Sequence, residues 1–302
     1  MTEIPFLPEM RSIQLGDRVL IAEIIQAQNP HQSELTFTNL FVWRNAYQLH
    51  LCQIDDAIAV FAWRADPEDS FLLPPLGEKA DSRVVETCLS HLDANGHAPI
   101  MARVTKQDIN RLGIAEKEFT IEPDRDHWDY VYAVRDLVEL SGNKYHRKRN
   151  HIEQFNNTYE SRYVRLTPER VSACRELQDR WCDEKHCDLV TTLRAEAKAV
   201  KEVLENIETL RVVGGCIEID GNVEAFTLGE MLNDETVVIH IEKANAAFHG
   251  LYQVINQQFL KNEWDKIRYV NREQDMGVPG LRKAKESYYP DHMVEKFNVR
   301  LK

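Results

Sequence analysis

The stretch from Glu235 to Asn271 changes its hydrophobic period twice, and this constrains the fold more than any other feature of the chain. Glu235 to Lys243 alternates like a strand, with Val237, Ile239 and Ile241 on one face and Val238, His240 and Glu242 on the other. From Phe248 to Trp264 the apolar residues Leu251, Val254, Ile255 and Phe259 recur at helical spacing, and Lys266 to Asn271 resumes a strand. Strand, helix and strand joined by short loops are most economically a right-handed crossover between parallel neighbours. The chain is therefore expected to build a mixed sheet with a covering helix.

The rest of the second half extends that sheet. Arg162 to Leu166 reads as a strand, and Thr167 and Pro168 then open a helix running to about Lys185. A second helix over 194–209 follows, with Val200, Val203, Leu204 and Ile207 as its apolar stripe. Leu210 to Ile219 and Val223 to Met231 are strands joined at Asp220, Gly221 and Asn222, a hairpin signal. A short helix, Leu281 to Tyr288, and a last strand, Glu295 to Leu301, complete the order.

The first half offers a weaker version of the same order. Helices Asp17 to Gln28 and Glu34 to Asn45 precede a hairpin, Tyr47 to Ile54 and Ala57 to Arg64. Strand Phe71 to Leu76, helix Asp81 to Asn95, strand Pro99 to Val104, helix Thr105 to Leu112 and strand Glu118 to Glu122 follow. Matching elements lie about 165 residues apart, an architectural repeat with little residue identity. The expectation is an N-terminal domain over 1–122, a connecting strand and basic helix over 123–160, and a C-terminal domain over 161–302. The connector holds Trp128, Tyr130, Val131, Tyr132 and Val134, too apolar for a free tether, so the two domains are expected to clamp around a groove.

Charge narrows the partners. With 37 Lys and Arg against 49 Asp and Glu, the net charge is −12, which disfavours a general nucleic-acid or anionic-membrane binder. The longest apolar stretches, such as Val19 to Ile25, are broken by charge long before the ~20 residues of a membrane helix, and residues 1–9 lack the pattern of a secretory signal. Six cysteines without an even framework suggest reduced thiols and a cytoplasmic setting. Cys182, His186 and Cys187 cluster beside Trp181, but no second pair completes a four-ligand zinc set, so helix packing is the expectation and no metal site is assigned.

Three motifs carry a resemblance. Gly142 to Phe155 (GNKYHRKRNHIEQF), His240 to Asn256 (HIEKANAAFHGLYQVIN) and Val270 to Pro290 (VNREQDMGVPGLRKAKESYYP) resemble an uncharacterised family related to the C-terminal domain of phosphatidylglycerol lysyltransferases. The element order of the second half resembles the acetyltransferase fold of the GNAT superfamily, and its repetition resembles tandem members of that fold. The resemblance implies an α/β protein with mixed sheets, built from two GNAT-like acyltransferase domains. It also implies transfer of an acyl or aminoacyl group from CoA or aminoacyl-tRNA to an amine or hydroxyl acceptor, a small molecule or a lipid head group. CoA-binding members resemble one another in a glycine-rich loop before the crossover helix. The corresponding Asn245 to Leu251 offers Gly250 only, although helix-start amides near Asn245, His249, Gly250 and Leu251 would suit a phosphate. The lysyltransferase-like enzymes use aminoacyl-tRNA, which would free this loop from its glycines. The first-half counterpart, Leu76 to Asp81, has one glycine and little polarity, so that domain is expected to shape the acceptor side.

Acyl transfer needs a base, donors to a tetrahedral oxyanion and an acid for the leaving group. Glu242 and His240 share a strand face at the edge where parallel strands part, the usual ligand position in open α/β sheets. They are the candidate bases, with pairing to Lys243 or neighbouring strands as the plainer alternative. Tyr288, with Tyr289, resembles by position the tyrosine general acid of acetyltransferases. Asn271, Arg272, Glu273 and Asp275 end a strand before a glycine-containing loop, with Arg282 beyond. The arginines suit a carboxylate or phosphate and the acids an amino group, unless all form a solvated ion-pair network. On the helix from Lys144, Lys148 falls inside the apolar arc of Tyr145, Ile152, Phe155 and Tyr159, and Arg149 lies at its edge. These two cations are candidates for holding phosphates, or else for pairing with surplus carboxylates. The competing function is a non-catalytic protein binding a small ligand on the same fold.

Overall fold

The computed structural model describes residues 3–302, which divide into two compact units. One contains the chain up to Asp129 together with Gln274–Pro279 and Met293–Lys302; the other contains Tyr130–Glu273 and Gly280–His292.

The first unit runs through β1 (Arg11–Ser12), α1 (Arg18–Gln28), α2 (Phe37–Tyr47), β2 (Leu49–Ile54), β3 (Ala57–Ala62), β4 (Phe71–Leu72), α3 (Ser82–Ala94), β5 (Ile100–Val104), α4 (Lys106–Arg111) and β6 (Phe119–Pro123). Side-chain oxygens of Thr36, Asp81 and Thr105 accept hydrogen bonds from first-turn amides of α2, α3 and α4. Such caps contribute about 1 kcal/mol each. Helix α3 buries Val84, Val85, Cys88, Leu89 and Leu92, a stripe at helical period, in a core shared with Phe61, Met101 and Val299.

The chain continues with β7 (Asp129–Ala133), α5 (Val134–Glu139), α6 (His146–Thr158), β8 (Ser161–Arg165), α7 (Val171–Lys185), α8 (Thr191–Glu205), α9 (Ile207–Leu210), β9 (Val213–Ile219), β10 (Asn222–Asn233), β11 (Thr236–Ala244), α10 (Leu251–Glu263), β12 (Tyr269–Asn271), α11 (Pro279–Glu286), β13 (His292–Val294) and β14 (Phe297–Leu301). Asp220 and Gly221, at φ 49° and 81°, make the β9–β10 turn, a backbone shape that matches the twist of a two-residue hairpin. Helix α10 buries Leu251, Val254, Ile255 and Phe259, the residues whose spacing marks it in the sequence.

The sheets have the orders β1-β2-β3-β4-β5-β14-β6 and β8-β9-β10-β11-β12-β7-β13. In both, the first three pairings are antiparallel, the fourth is parallel and the fifth antiparallel. The architecture is mixed α/β, a tandem of two mixed seven-strand sheets, with the expected parallel crossover between β11 and β12.

The sixth strand of each sheet departs from the sequence-based order. The strand read at Glu295 to Leu301 as the end of the second half is β14, and it lies between β5 and β6 of the first sheet. The Trp128 to Val134 connector is β7, which lies between β12 and β13 of the second. Alternation tells which face of a strand is buried and not which strand it pairs with, so a local pattern is blind to this exchange. The compact units accordingly differ from a division at residues 122 and 160: α6 belongs to the second unit, and Met293–Lys302 return to the first.

The cysteines also differ from expectation. His186 takes a left-handed conformation (φ 53°) that ends α7 and turns the chain back, so the Cα atoms of Cys182 and Cys187 are 5.0 Å apart and the two form a disulfide. The other four are buried thiols. Among the described residues no group of three or more His, Cys, Asp or Glu is placed to hold a metal, and no helix is long and apolar enough to cross a membrane.

Candidate functional site

Strands β11 and β12 pair over only three positions, Thr236 with Tyr269, Val237 with Val270 and Val238 with Asn271. Beyond them β11 runs on to Ala244 while β12 ends, so His240 and Glu242 lie beside an opening of the second sheet. Arg272, the next residue after β12, is held by its amide donating to the Tyr130 carbonyl at 2.9 Å.

Four candidates meet there. The Arg272 guanidinium donates to Glu242 Oε1 at 2.9 Å, and Asn256 of α10 donates to Oε2 at 3.0 Å. Arg272 also lies over the rings of Tyr288 (5.1 Å) and Tyr132 (5.9 Å). Lys148 of α6 places Nζ 3.8 Å from the Tyr288 ring centroid and donates to Ser287 Oγ at 2.8 Å. Among the described residues no carboxylate pairs with Lys148. Burial, with added repulsion from Arg272 and Arg147, lowers its pKa to about 8. Tyr288 is 8% exposed, and burial pushes its phenol up to about 12, against the opposing charge of Arg272. The site thus holds an amine that is partly neutral near neutral pH and a phenol that keeps its proton.

His240 is placed differently. Its Nε2 is 2.9 Å from Glu230 and its Nδ1 3.0 Å from Glu273. Burial alone would lower its pKa, but hydrogen bonds to the two carboxylates and their charges outweigh that and raise it to about 9. At neutral pH the ring is an imidazolium with both N–H groups engaged, which removes it as a base. Glu242 likewise spends both oxygens on Arg272 and Asn256, so it orients the guanidinium.

The remaining candidates scatter. Buried Asn271 accepts from the Glu273 amide at 2.8 Å and shapes the turn that aims Glu273 at His240. Asp275 belongs to the first unit, where it meets Arg125 at 3.2 Å and the Gly277 amide at 2.9 Å. Arg149 donates to the carbonyls of Leu140 and Gly142, closing the end of α5, so it does not extend the Lys148 cluster. Arg282 lies half-buried on α11.

The loop before α10 is filled from within. Asn245 donates to Glu224 and receives the Ala247 amide, and the His249 ring packs on His151 at 4.7 Å. Gly250 has φ 92°, and a Cβ there would sit 2.5 Å from the His151 carbonyl oxygen. That glycine admits the backbone of α6, and Leu251 is buried behind it. A carbonyl oxygen pressed on the first turn of α10 is a poor neighbour for a pyrophosphate, so the residues present do not fit CoA in this position.

Sequence reasoning missed Tyr132, Asn256 and Ser287. Asn256 carried a signal, a polar residue four positions after Tyr252 and four before Leu260 on the packed side of α10; it is 1% exposed. Tyr132 was visible only as an apolar connector, and Ser287 had no marker.

Comparison with known proteins follows the same lines. A conserved protein of unknown function from Bacteroides thetaiotaomicron VPI-5482 is 34% identical, with 97% of this chain and 99% of that one covered at a TM-score of 0.88. The structure of L-PGS from Bacillus licheniformis is 13% identical over 99% and 93% of the two chains at a TM-score of 0.66, and FemX is 8% identical over 96% of each at 0.50. These two share the fold. An uncharacterized protein of Mycoplasmoides gallisepticum is 20% identical over 176 residues, 57% of this chain and 56% of that protein, so the chain spans little more than half of the curated relative it matches. The family described as phosphatidylglycerol lysyltransferase, C-terminal, matches residues 26–300, which include the Lys148, Glu242, Arg272 and Tyr288 cluster. With the match running through both sheets and the whole site, the chain belongs to the phosphatidylglycerol lysyltransferase C-terminal family.

Proposed function

We propose that the protein is an aminoacyltransferase whose chemistry takes place at Lys148, Arg272 and Tyr288. The observation that carries this reading is the Lys148 amine, half-buried, without a carboxylate partner among the described residues and lowered to about 8. A neutral amine in that position accepts the proton of an attacking hydroxyl or amine. Arg272, fixed by Glu242, faces the oxygen on which negative charge builds, and Tyr288 donates its proton to the departing ribose oxygen. Glu242 is thus a positioning residue, where the sequence had suggested a base.

The donor is aminoacyl-tRNA in preference to an acyl-CoA, because the turn at Gly250 is occupied by α6. The family description names a lysyl donor and a phosphatidylglycerol acceptor, and an acceptor with a phosphate beside a hydroxyl suits Lys148 and Arg272.

The test supplies purified protein with tRNA charged with radiolabelled amino acids, phosphatidylglycerol micelles and soluble amine acceptors, and follows label into the acceptor. Lys148→Met and Lys148→Arg should each lower kcat/KM by about 10²–10⁴, since the arginine keeps charge and gives up no proton. Undiminished transfer in both would remove Lys148 from the mechanism. Equal use of acyl-CoA would overturn the choice of donor. Binding of charged tRNA without transfer would leave a binding protein.

A further inference from the structure

Three of the lysines withdrawn from water, Lys296, Lys243 and Lys148, can be compared. Lys296, 0% exposed, is 2.5 Å from Glu34 and 2.7 Å from Asp129. Lys243, 4% exposed, is 2.9 Å from Glu196 and lies 3.5 Å over the Trp181 ring. Lys148 alone of the three has no acid. Its surroundings are Arg147 and His151 on its own helix, Arg272 after β12, with Glu242 engaged by that guanidinium, and Ser287 and Tyr288 after α11. The fold presents an uncompensated amine that shares the Tyr288 ring with the Arg272 guanidinium, at a position that stays partly open to solvent.

We propose that Lys148 is a covalent acylation site for small acyl phosphates, and that its acylation switches off the activity proposed above. Arg272 supplies the contact that a planar guanidinium makes with a phosphate, so the leaving group is recognised along with the carbonyl. The neutral amine nitrogen attacks the acyl carbon, the C–N bond forms and the C–O bond to phosphate breaks. Phosphate departs with the electron pair, and the proton lost by nitrogen goes to water. The resulting amide carries no charge and accepts no proton, so it cannot serve as the base. The acylation itself stands apart from the transferase reading, while the loss of activity rests on it.

The experiment exposes the intact protein to acetyl phosphate between pH 7 and 10 and follows each lysine by peptide mass spectrometry. At pH 8 roughly half of Lys148 is neutral, against roughly 0.3% of an ordinary exposed lysine. The lower nucleophilicity of a less basic amine takes back about a factor of ten, leaving about a tenfold faster reaction than at exposed Lys117. The Lys148 rate should level off above pH 8 while that of Lys117 keeps rising, and Arg272→Gln should bring the two rates together. A Lys148 rate no faster than Lys117 across pH 7–9 would overturn the proposal. In a preparation with transfer activity, activity should fall in step with Lys148 occupancy; full occupancy with activity retained would overturn the switch. Fast labelling in a protein that transfers nothing would count against the transferase reading and leave the acylation site standing.

Discussion

Beyond the parallel pairing of Leu72 with Met101 in the first sheet come Leu73, Pro74, Pro75 and Leu76, with Leu73 and Leu76 buried. Beyond the parallel pairings of the second sheet come His240, held between Glu230 and Glu273, and Glu242, which faces Arg272 and, across Tyr288, Lys148. The same place in the same topology is plugged with apolar side chains in one unit and left to charge in the other. The first unit keeps its buried charge elsewhere and closes it: Lys296 lies between Glu34 and Asp129, while Arg103 reaches Glu34 at 3.5 Å and Asp124 at 3.0 Å. Burial pushes the Glu34 carboxyl up, aided by Asp129 and opposed by Lys296 and Arg103. A buried cation met by acids is a fastening; a half-buried cation that meets another cation and no acid is held at a cost.

The same substitution made in the two units tests this contrast most severely. Lys296→Met should destabilise the protein by about 3–5 kcal/mol, because the buried Asp129 and Glu34 both lose the Lys296 ammonium and Glu34 keeps only Arg103 at 3.5 Å. Denaturant unfolding reads the shift, and a loss under about 1 kcal/mol would show the network to be dispensable.

Next in size is a pH effect confined to the second unit. His240 gains proton affinity on folding, from 6.5 to about 9, so its contribution is complete below pH 6.5 and disappears as pH rises through 9. Wild type should lose roughly 3 kcal/mol across that window. His240→Gln should flatten the profile between pH 6.5 and 9; an unchanged slope would place the titrating group elsewhere.

The smallest effect has the opposite sign. Lys148 loses proton affinity on folding, so the folded state is penalised below pH 8 and the penalty fades towards pH 10.5. Discounted for its partial exposure, Lys148→Met should stabilise the protein by about 1 kcal/mol at pH 7 while lowering the proposed transfer as stated above. A destabilised variant would mean that the amine serves packing.

Much of this contrast could be read from the chain before its folding was seen. The helical arc through Tyr145, Ile152 and Phe155 placed Lys148 where a cation needs a reason, and the alternation along β11 put His240 and Glu242 on one face. Both readings depend on neighbours within a turn or two, the range over which backbone geometry fixes direction. Roles depend on partners from distant segments. Arg272 comes from 30 residues beyond Glu242, which changes a candidate base into an anchor. Glu230 and Glu273 together make His240 a cation. Lys296 had no marker at all, since Glu34 lies 262 residues away and Asp129 167.

The placement of β14 carries a lesson about biosynthesis. Until residues 297–301 have left the ribosome, β5 and β6 have no strand between them, and the earlier half of the protein must wait with an open seam in its sheet. Nascent domains ordinarily settle in the order in which they are made. Here the unit translated before the other is completed after it, and in the interval its unpaired edges invite foreign strands or a chaperone.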